Sequence, residues 1–131
     1  MQECLKAVEE LNSLGLSTTL ADARFAKPVD VDLVQELIEA DIAVITIEEH
    51  TLCGGFGAAV LEAANEKKID TRSIGRIGMP DHWVHHDSRS GQLIETGLDA
   101  EGIARQIRHF LDDDGRSSLE SRADSVGMPL G

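Results

Sequence analysis

The chain has 131 residues, of which 24 are Asp or Glu and 12 are Lys or Arg, so its formal net charge is -12. This acidity argues against binding to nucleic acid or to an anionic membrane surface, since either would need a basic patch. The length predicts one domain, and the longest apolar run, residues 42–47, is too short to cross a bilayer. Because nothing near Met1 resembles a signal peptide, we expect a cytoplasmic protein with reduced cysteines.

Apolar spacing in the first third of the chain predicts two helices with a strand between them. A helix over residues 3–14 ends at Gly15, a β-rich run follows over residues 16–25 until Pro28 interrupts it, and Asp30 caps the next helix. The predicted inward-facing residues of the two helices are Cys4, Leu5, Val8, Leu11, Leu33, Val34, Leu37 and Ile38.

The same reasoning predicts two further strands and three helices. Residues 42–47 form a strand buried on both faces, residues 54–68 a helix, and residues 71–79 a weaker strand. A short helix over residues 90–97 ends at its glycine, and Asp99 caps a last helix. The inward-facing residues of the two longer helices are Phe56, Val60, Leu61, Ala64, Ile103, Ile107, Phe110 and Leu111.

This alternation of strands and helices predicts an α/β fold, a three-layer sandwich with a small, mainly parallel sheet between helices. Only three strands are evident and the chain opens on a helix, which predicts that a first strand is missing. A missing strand would leave a sheet edge and apolar helix faces uncovered, and we therefore expect self-association. Residues 114–131 have too little apolar content to offset their ordering entropy. We expect a folded domain over residues 1–113 and a disordered acidic tail over residues 114–131.

The segment over residues 42–57 carries the candidate site. Loops at the carboxyl ends of parallel strands bind ligands and partner domains in open α/β sheets. A helix N-terminus that opens on glycines could cradle an anion, but this one matches neither the P-loop nor the dinucleotide fingerprint, which favours a role in close packing. The residues placed at this candidate anion-binding or domain-interface edge are Arg24, Glu48, Glu49, His50, Gly54, Gly55 and Gly57.

Two carboxylates at this edge allow alternative interpretations. Glu48 and Glu49 are adjacent on an extended segment and point in opposite directions, so they would not share a proton as a catalytic pair does. We expect one to face inward and satisfy backbone amides, where it would fill the place of an anionic ligand, and the other to face a neighbouring domain. Arg24 could pair with Glu48 across adjacent strands, which we favour over phosphate binding.

A group of histidines invites a metal hypothesis. His82, His85 and His86 are flanked by Asp81 and Asp87, and imidazole and carboxylate groups are ligands of zinc. Their spacing matches no recognised ligand motif, so we expect a loop there and assign no metal site.

Four ordered motifs carry a family resemblance. They are DARFAKPVD at residues 22–30, ITIEEHTLCGGFGAAVLE at 45–62, IGMPDHWVHHDS at 77–88 and GLDAEGI at 97–103. With these motifs, residues 1 to about 113 resemble the C-terminal domain of 1-deoxy-D-xylulose-5-phosphate synthases, enzymes of the transketolase group. His50 departs from the pattern, in which a small or amide residue is frequent.

The resemblance implies a division of labour. In such enzymes an N-terminal and a middle domain hold thiamine diphosphate and Mg, and the C-terminal domain packs against them and supports a dimer. It therefore implies no catalytic or cofactor-binding residue in this chain, no activity of the chain alone, and partner domains supplied in cis or in trans. Two alternatives stay open: a free-standing small-anion-binding or regulatory module, and one subunit of a split transketolase-type enzyme.

Overall fold

Nine helices and strands make up the part of the chain that the computed structural model describes, which is residues 1–23, 29–80 and 88–113 and the strand at 125–129. In chain order they are α1 (Gln2–Ser13), β1 (Thr18–Leu20), α2 (Val31–Glu39), β2 (Val44–Thr51), α3 (Phe56–Glu66), β3 (Ile74–Met79), α4 (Arg89–Thr96), α5 (Ala100–Asp113) and β4 (Ser125–Pro129).

The four strands form one parallel sheet in the order β1-β4-β2-β3. Strand β2 pairs with β3 on one side and with β4 on the other, and β4 also pairs with β1. The sheet is therefore small and parallel, as the alternation of helices and strands predicts.

Helices cover both faces of this sheet because β2 alternates its apolar side chains between them. Ile45 and Ile47 belong to the core cluster that α1 and α5 supply, whereas Val44 belongs to the cluster that α2 and α3 supply. The three-layer α/β architecture is confirmed. The core is almost wholly aliphatic, with Phe56 as its one buried aromatic ring among the described residues.

Several local predictions hold. The Leu33 N–H donates to Oδ1 of Asp30 at 3.1 Å, so Asp30 caps α2. Gly97 ends α4 in the left-handed conformation, at φ 72°. The inward position predicted for Leu5 is wrong, because α1 turns Ala7 into the core and leaves Leu5 49% exposed.

The expectation of a disordered tail is wrong for residues 125–129, which form β4 inside the sheet. The described sheet has four strands where the sequence predicts three. Gly127 and Pro129 have low β propensity, so the sequence does not predict a strand there. The remainder of the predicted tail, residues 114–124 and 130–131, lies outside the described residues.

Candidate functional site

An irregularity in β2 shapes the carboxyl edge of the sheet. Ile47 pairs with Ile77 and Thr51 pairs with Met79, so three residues of β2 lie opposite the single residue Gly78. Bulges of this kind redirect side chains and are frequent near functional sites. A Cβ atom on Gly78 would lie 2.9 Å from the carbonyl oxygen of His50, which shows how closely the two strands approach there.

Glu48 turns inward from this bulge and caps α3. Its side chain is 1% exposed, and its Oε2 accepts a hydrogen bond from the Gly57 N–H at 3.1 Å. A Cβ atom on Gly55 would collide with Oε1 of the same carboxylate, so the glycine provides the space that the capping side chain needs. The expectation that one of the two carboxylates satisfies backbone amides is confirmed for Glu48.

This arrangement governs what the glycine-rich turn can bind. The first N–H groups of a helix carry partial positive charge and attract anions, but here a carboxylate of the protein already accepts from one of them. A phosphate at the same place would meet that carboxylate's negative charge at close range. The geometry therefore favours helix packing over anion binding at residues 54–57.

Two buried oxygen atoms beside α3 have no hydrogen-bond partner among the described residues. They are Oγ1 of Thr46 and Oε1 of Glu48. Arg24, which the sequence proposes as a partner of Glu48, lies outside the described residues, and their pairing stays a prediction.

Glu49 faces the opposite side of the sheet from Glu48. Its Oε1 accepts a hydrogen bond from Nη2 of Arg89 at 2.7 Å, and the two side chains are 48% and 74% exposed. Arg89 is the first residue of α4, whose N-cap Ser88 accepts from the Gly91 N–H. The ion pair links the bulge of β2 to α4, although an exposed pair of this kind adds less than about 1 kcal/mol to stability.

A cavity of about 260 Å³ lies beside this ion pair. Its apolar lining includes Cys4, Ile47, Leu93, Leu98 and Ile103, and its polar lining includes Glu3, Glu49 and Arg89. Burial raises the pKa of the Cys4 thiol, which keeps that group neutral. An apolar floor with a charged rim suits a side chain from a neighbouring protein surface.

The sequence gives no sign of one capping contact at this edge. Oε2 of Glu3, in the first turn of α1, accepts from the Ala100 N–H at the start of α5 at 2.8 Å. This hydrogen bond is the main reason that the pKa of Glu3 is lowered, and Lys6 lowers it further. Ninety-seven residues separate the two partners, so spacing along the sequence cannot predict their contact.

Two further residues of the predicted edge lie in the described part of the chain. Gly54 has φ 75° in the turn before α3, and His50 is exposed at the end of β2. The histidine-rich segment, residues 81–87, lies outside the described residues. Within the described residues, no three His, Cys, Asp or Glu side chains are placed to hold a metal ion, and no helix is long and apolar enough to span a membrane.

Comparison with known proteins gives a consistent result. The family model described as the C-terminal domain of transketolase matches residues 1–128. A Synechococcus protein named 1-deoxy-D-xylulose-5-phosphate synthase is 44% identical over 104 residues, which are 79% of this chain and 16% of that protein.

Proteins of the same name from two bacilli are also similar. The one from Geobacillus thermodenitrificans is 41% identical over 82% of this chain and 17% of its own length. The one from Bacillus licheniformis is 39% identical over 79% of this chain and 16% of its own length. The chain thus spans about one sixth of the length of these relatives.

Proposed function

The chain belongs to the transketolase C-terminal domain family, and from this membership we propose that it acts as the C-terminal domain of a 1-deoxy-D-xylulose-5-phosphate synthase. Such an enzyme condenses pyruvate with glyceraldehyde 3-phosphate for isoprenoid biosynthesis. The observation that carries the proposal is identity of 39% and above to synthases over about four fifths of the chain. In this proposal the domain buttresses the cofactor-bearing domains and the enzyme dimer.

The contacts at the carboxyl edge support an architectural role. Glu48 is committed to capping α3, and Glu49 is committed to the ion pair with Arg89. Among the residues that the structure describes, neither carboxylate is paired with a second carboxylate or with a histidine. We assign to the neighbouring domain the surface formed by Glu49 and Arg89 at the cavity and by the exposed His50, which follows Glu49 in β2.

The described residues do not fit thiamine diphosphate and its Mg. A diphosphate needs free N–H donors at a helix terminus, and the N-terminus of α3 is capped by a carboxylate of the protein. A bridging Mg needs oxygen ligands grouped around it, and the described acids form no such group. The proposal therefore places the cofactor in the N-terminal and middle domains, joined to this chain in cis or in trans.

A chimera tests the proposal. The matching C-terminal segment of the Bacillus licheniformis relative is replaced by this chain, and synthesis of 1-deoxy-D-xylulose 5-phosphate is measured. The same enzyme without any C-terminal segment, and the same truncated enzyme mixed with this chain as a separate polypeptide, are assayed in parallel. The chimera should recover most of the parent activity, and the truncated enzyme should be inactive.

Each result has a distinct meaning. A chimera that forms a dimer but has no activity would contradict the assignment. Activity restored on mixing would support a split enzyme with this chain as a subunit. The mass of the native polypeptide, determined by immunoblot in source cells, separates a covalent domain from a separate subunit.

A further inference from the structure

Strand β3 and helix α5 border an open cavity at one side of the described sheet. In the strand order β1-β4-β2-β3, β3 is the edge strand farthest from β1. A cavity of about 450 Å³ lies between this strand and α5. Its apolar lining includes Ile45, Ile77 and Phe110, and Gly75 adds no side chain to its floor. The wall of this cavity is therefore mostly apolar, and it adjoins a strand edge.

One stripe of α5 forms the rim of this cavity. Arg105, His109 and Asp113 follow one another at steps of four residues, and all three are exposed. Nε2 of His109 lies 3.3 Å from Oδ2 of Asp113. Among the described residues, no carboxylate forms an ion pair with Arg105. The stripe thus carries a cation and, about 12 Å further along the helix axis, an anion.

This order of charges does not stabilise α5 by itself. The C-terminus of a helix carries partial negative charge, where cations are favourable and anions are not. The last turn of α5 contains Asp112 and Asp113 and no basic residue, whereas Arg105 lies in the first half of the helix. A second helix that runs antiparallel with the same order of charges would place a cation opposite each anion, because its charges are reversed in space.

A second copy of α5 has this order of charges. Arg105 and Asp113 are each four positions from His109, so a twofold axis at His109 places Arg105 of each copy opposite Asp113 of the other. The stripe is therefore self-complementary, as an interface between identical chains requires. An axis normal to the sheet also sets β3 antiparallel to β3 of the second copy, and the backbone groups of two antiparallel edge strands can pair.

We propose that the groove between β3 and α5 is an interface with a second copy of this chain, arranged about this twofold axis. Apolar contact at the cavity gives the attraction, and two ion pairs between Arg105 and Asp113 fix the antiparallel register. This inference names the surface of self-association and does not rest on the proposed synthase function.

Charge reversal in the full chain tests the pairing. Between two copies of Arg105→Asp the opposed groups are both anions, and between two copies of Asp113→Arg they are both cations. Sedimentation velocity at about 0.15 M sodium chloride should show a dimer for the parent and at least about tenfold weaker association for each variant. An equimolar mixture of the two variants restores both ion pairs between unlike chains, so it should form a one-to-one heterodimer with the affinity of the parent.

Matched controls separate this pairing from an effect of net charge. Glu66→Arg and Lys67→Asp change the net charge by the same amounts at exposed positions at the end of α3, which packs on the other face of the sheet. Each control should associate within about twofold of the parent, since its charge lies away from the proposed contact. Circular dichroism verifies that all four variants keep the helix content of the parent.

Cross-linking at the twofold axis gives a second readout. His109 lies opposite its own copy, so His109→Cys should form a disulfide between two chains under mild oxidation, and Glu66→Cys should not. Both changes are made in a Cys53→Ser chain, because Cys53 is exposed. A monomeric parent, charge-reversed variants that associate like the parent, a mixture that does not recover association, or equal cross-linking at the two positions would each overturn the proposal.

Discussion

At the scale of single residues, the site is organised by close approach between a strand and a helix. Glu48 reaches the Gly57 N–H because Gly55 has no side chain in the way. Gly57 itself lies so near Thr46 and Arg76 that a Cβ atom there would be 2.6 Å from Oγ1 of Thr46. The glycines that resemble an anion-binding turn thus allow α3 to pack closely against the sheet.

The capping role of Glu48 predicts a difference between two adjacent carboxylates. Glu48→Ala should lower the free energy of unfolding by about 2 kcal/mol, since it removes a buried cap and leaves the Gly57 N–H without a partner. Its matched control, Glu49→Ala, removes an exposed ion pair and should cost less than about 1 kcal/mol. Urea unfolding followed by circular dichroism measures both, and equal losses would contradict the assigned cap.

The bulge predicts a second contrast, between two glycines of β3. Gly78→Ala should destabilise by about 1–3 kcal/mol, because the new methyl group would lie 2.9 Å from the backbone oxygen of His50, which cannot rotate away. Gly75→Ala meets the ring of Phe110 at 3.0 Å, and this partly buried side chain can shift. Thermal unfolding should rank Gly78→Ala well below Gly75→Ala, and the reverse ranking would show that the strands do not approach as described.

At the scale of secondary-structure elements, the helices are predictable from sequence and part of the sheet is not. Apolar residues at helical spacing place α2, α3 and α5, and Asp30 and Gly97 mark helix ends by ordinary capping chemistry. Strand β4 has no such pattern, since its position depends on backbone pairing with two strands distant in sequence. The bulge in β2 and the contact of Glu3 with α5 also join residues that are distant in sequence, so local sequence patterns do not predict them.

The contact between α1 and α5 gives a pH dependence. The pKa of Glu3 is lowered, chiefly by the Ala100 N–H, so its contribution to stability is present above its ordinary pKa of 4.5 and is lost as the pH falls through the lowered value. Glu3→Gln should reduce stability by about 1 kcal/mol at neutral pH. The difference between variant and parent should shrink in acid. Urea midpoints measured from neutral to acid pH check this, and a difference independent of pH would exclude the ionised cap.

At the scale of the whole molecule, a chain with net charge -12 repels its own copies, whereas its expected self-association depends on apolar contact. Salt screens the repulsion and leaves apolar attraction largely intact. Sedimentation velocity at neutral pH should therefore show more association at about 0.5 M than at about 0.05 M sodium chloride. A monomer at both salt concentrations would count against self-association.

The late position of β4 in the sequence also affects the order in which the sheet forms during translation. The strand that connects residues 18–20 to the sheet is translated about a hundred residues after them. At about 5–20 residues per second, β1 waits roughly 5–20 seconds for its partner. During that time β1 lacks its partner in the described sheet, and its backbone N–H and C=O groups are open to pairing with other extended segments.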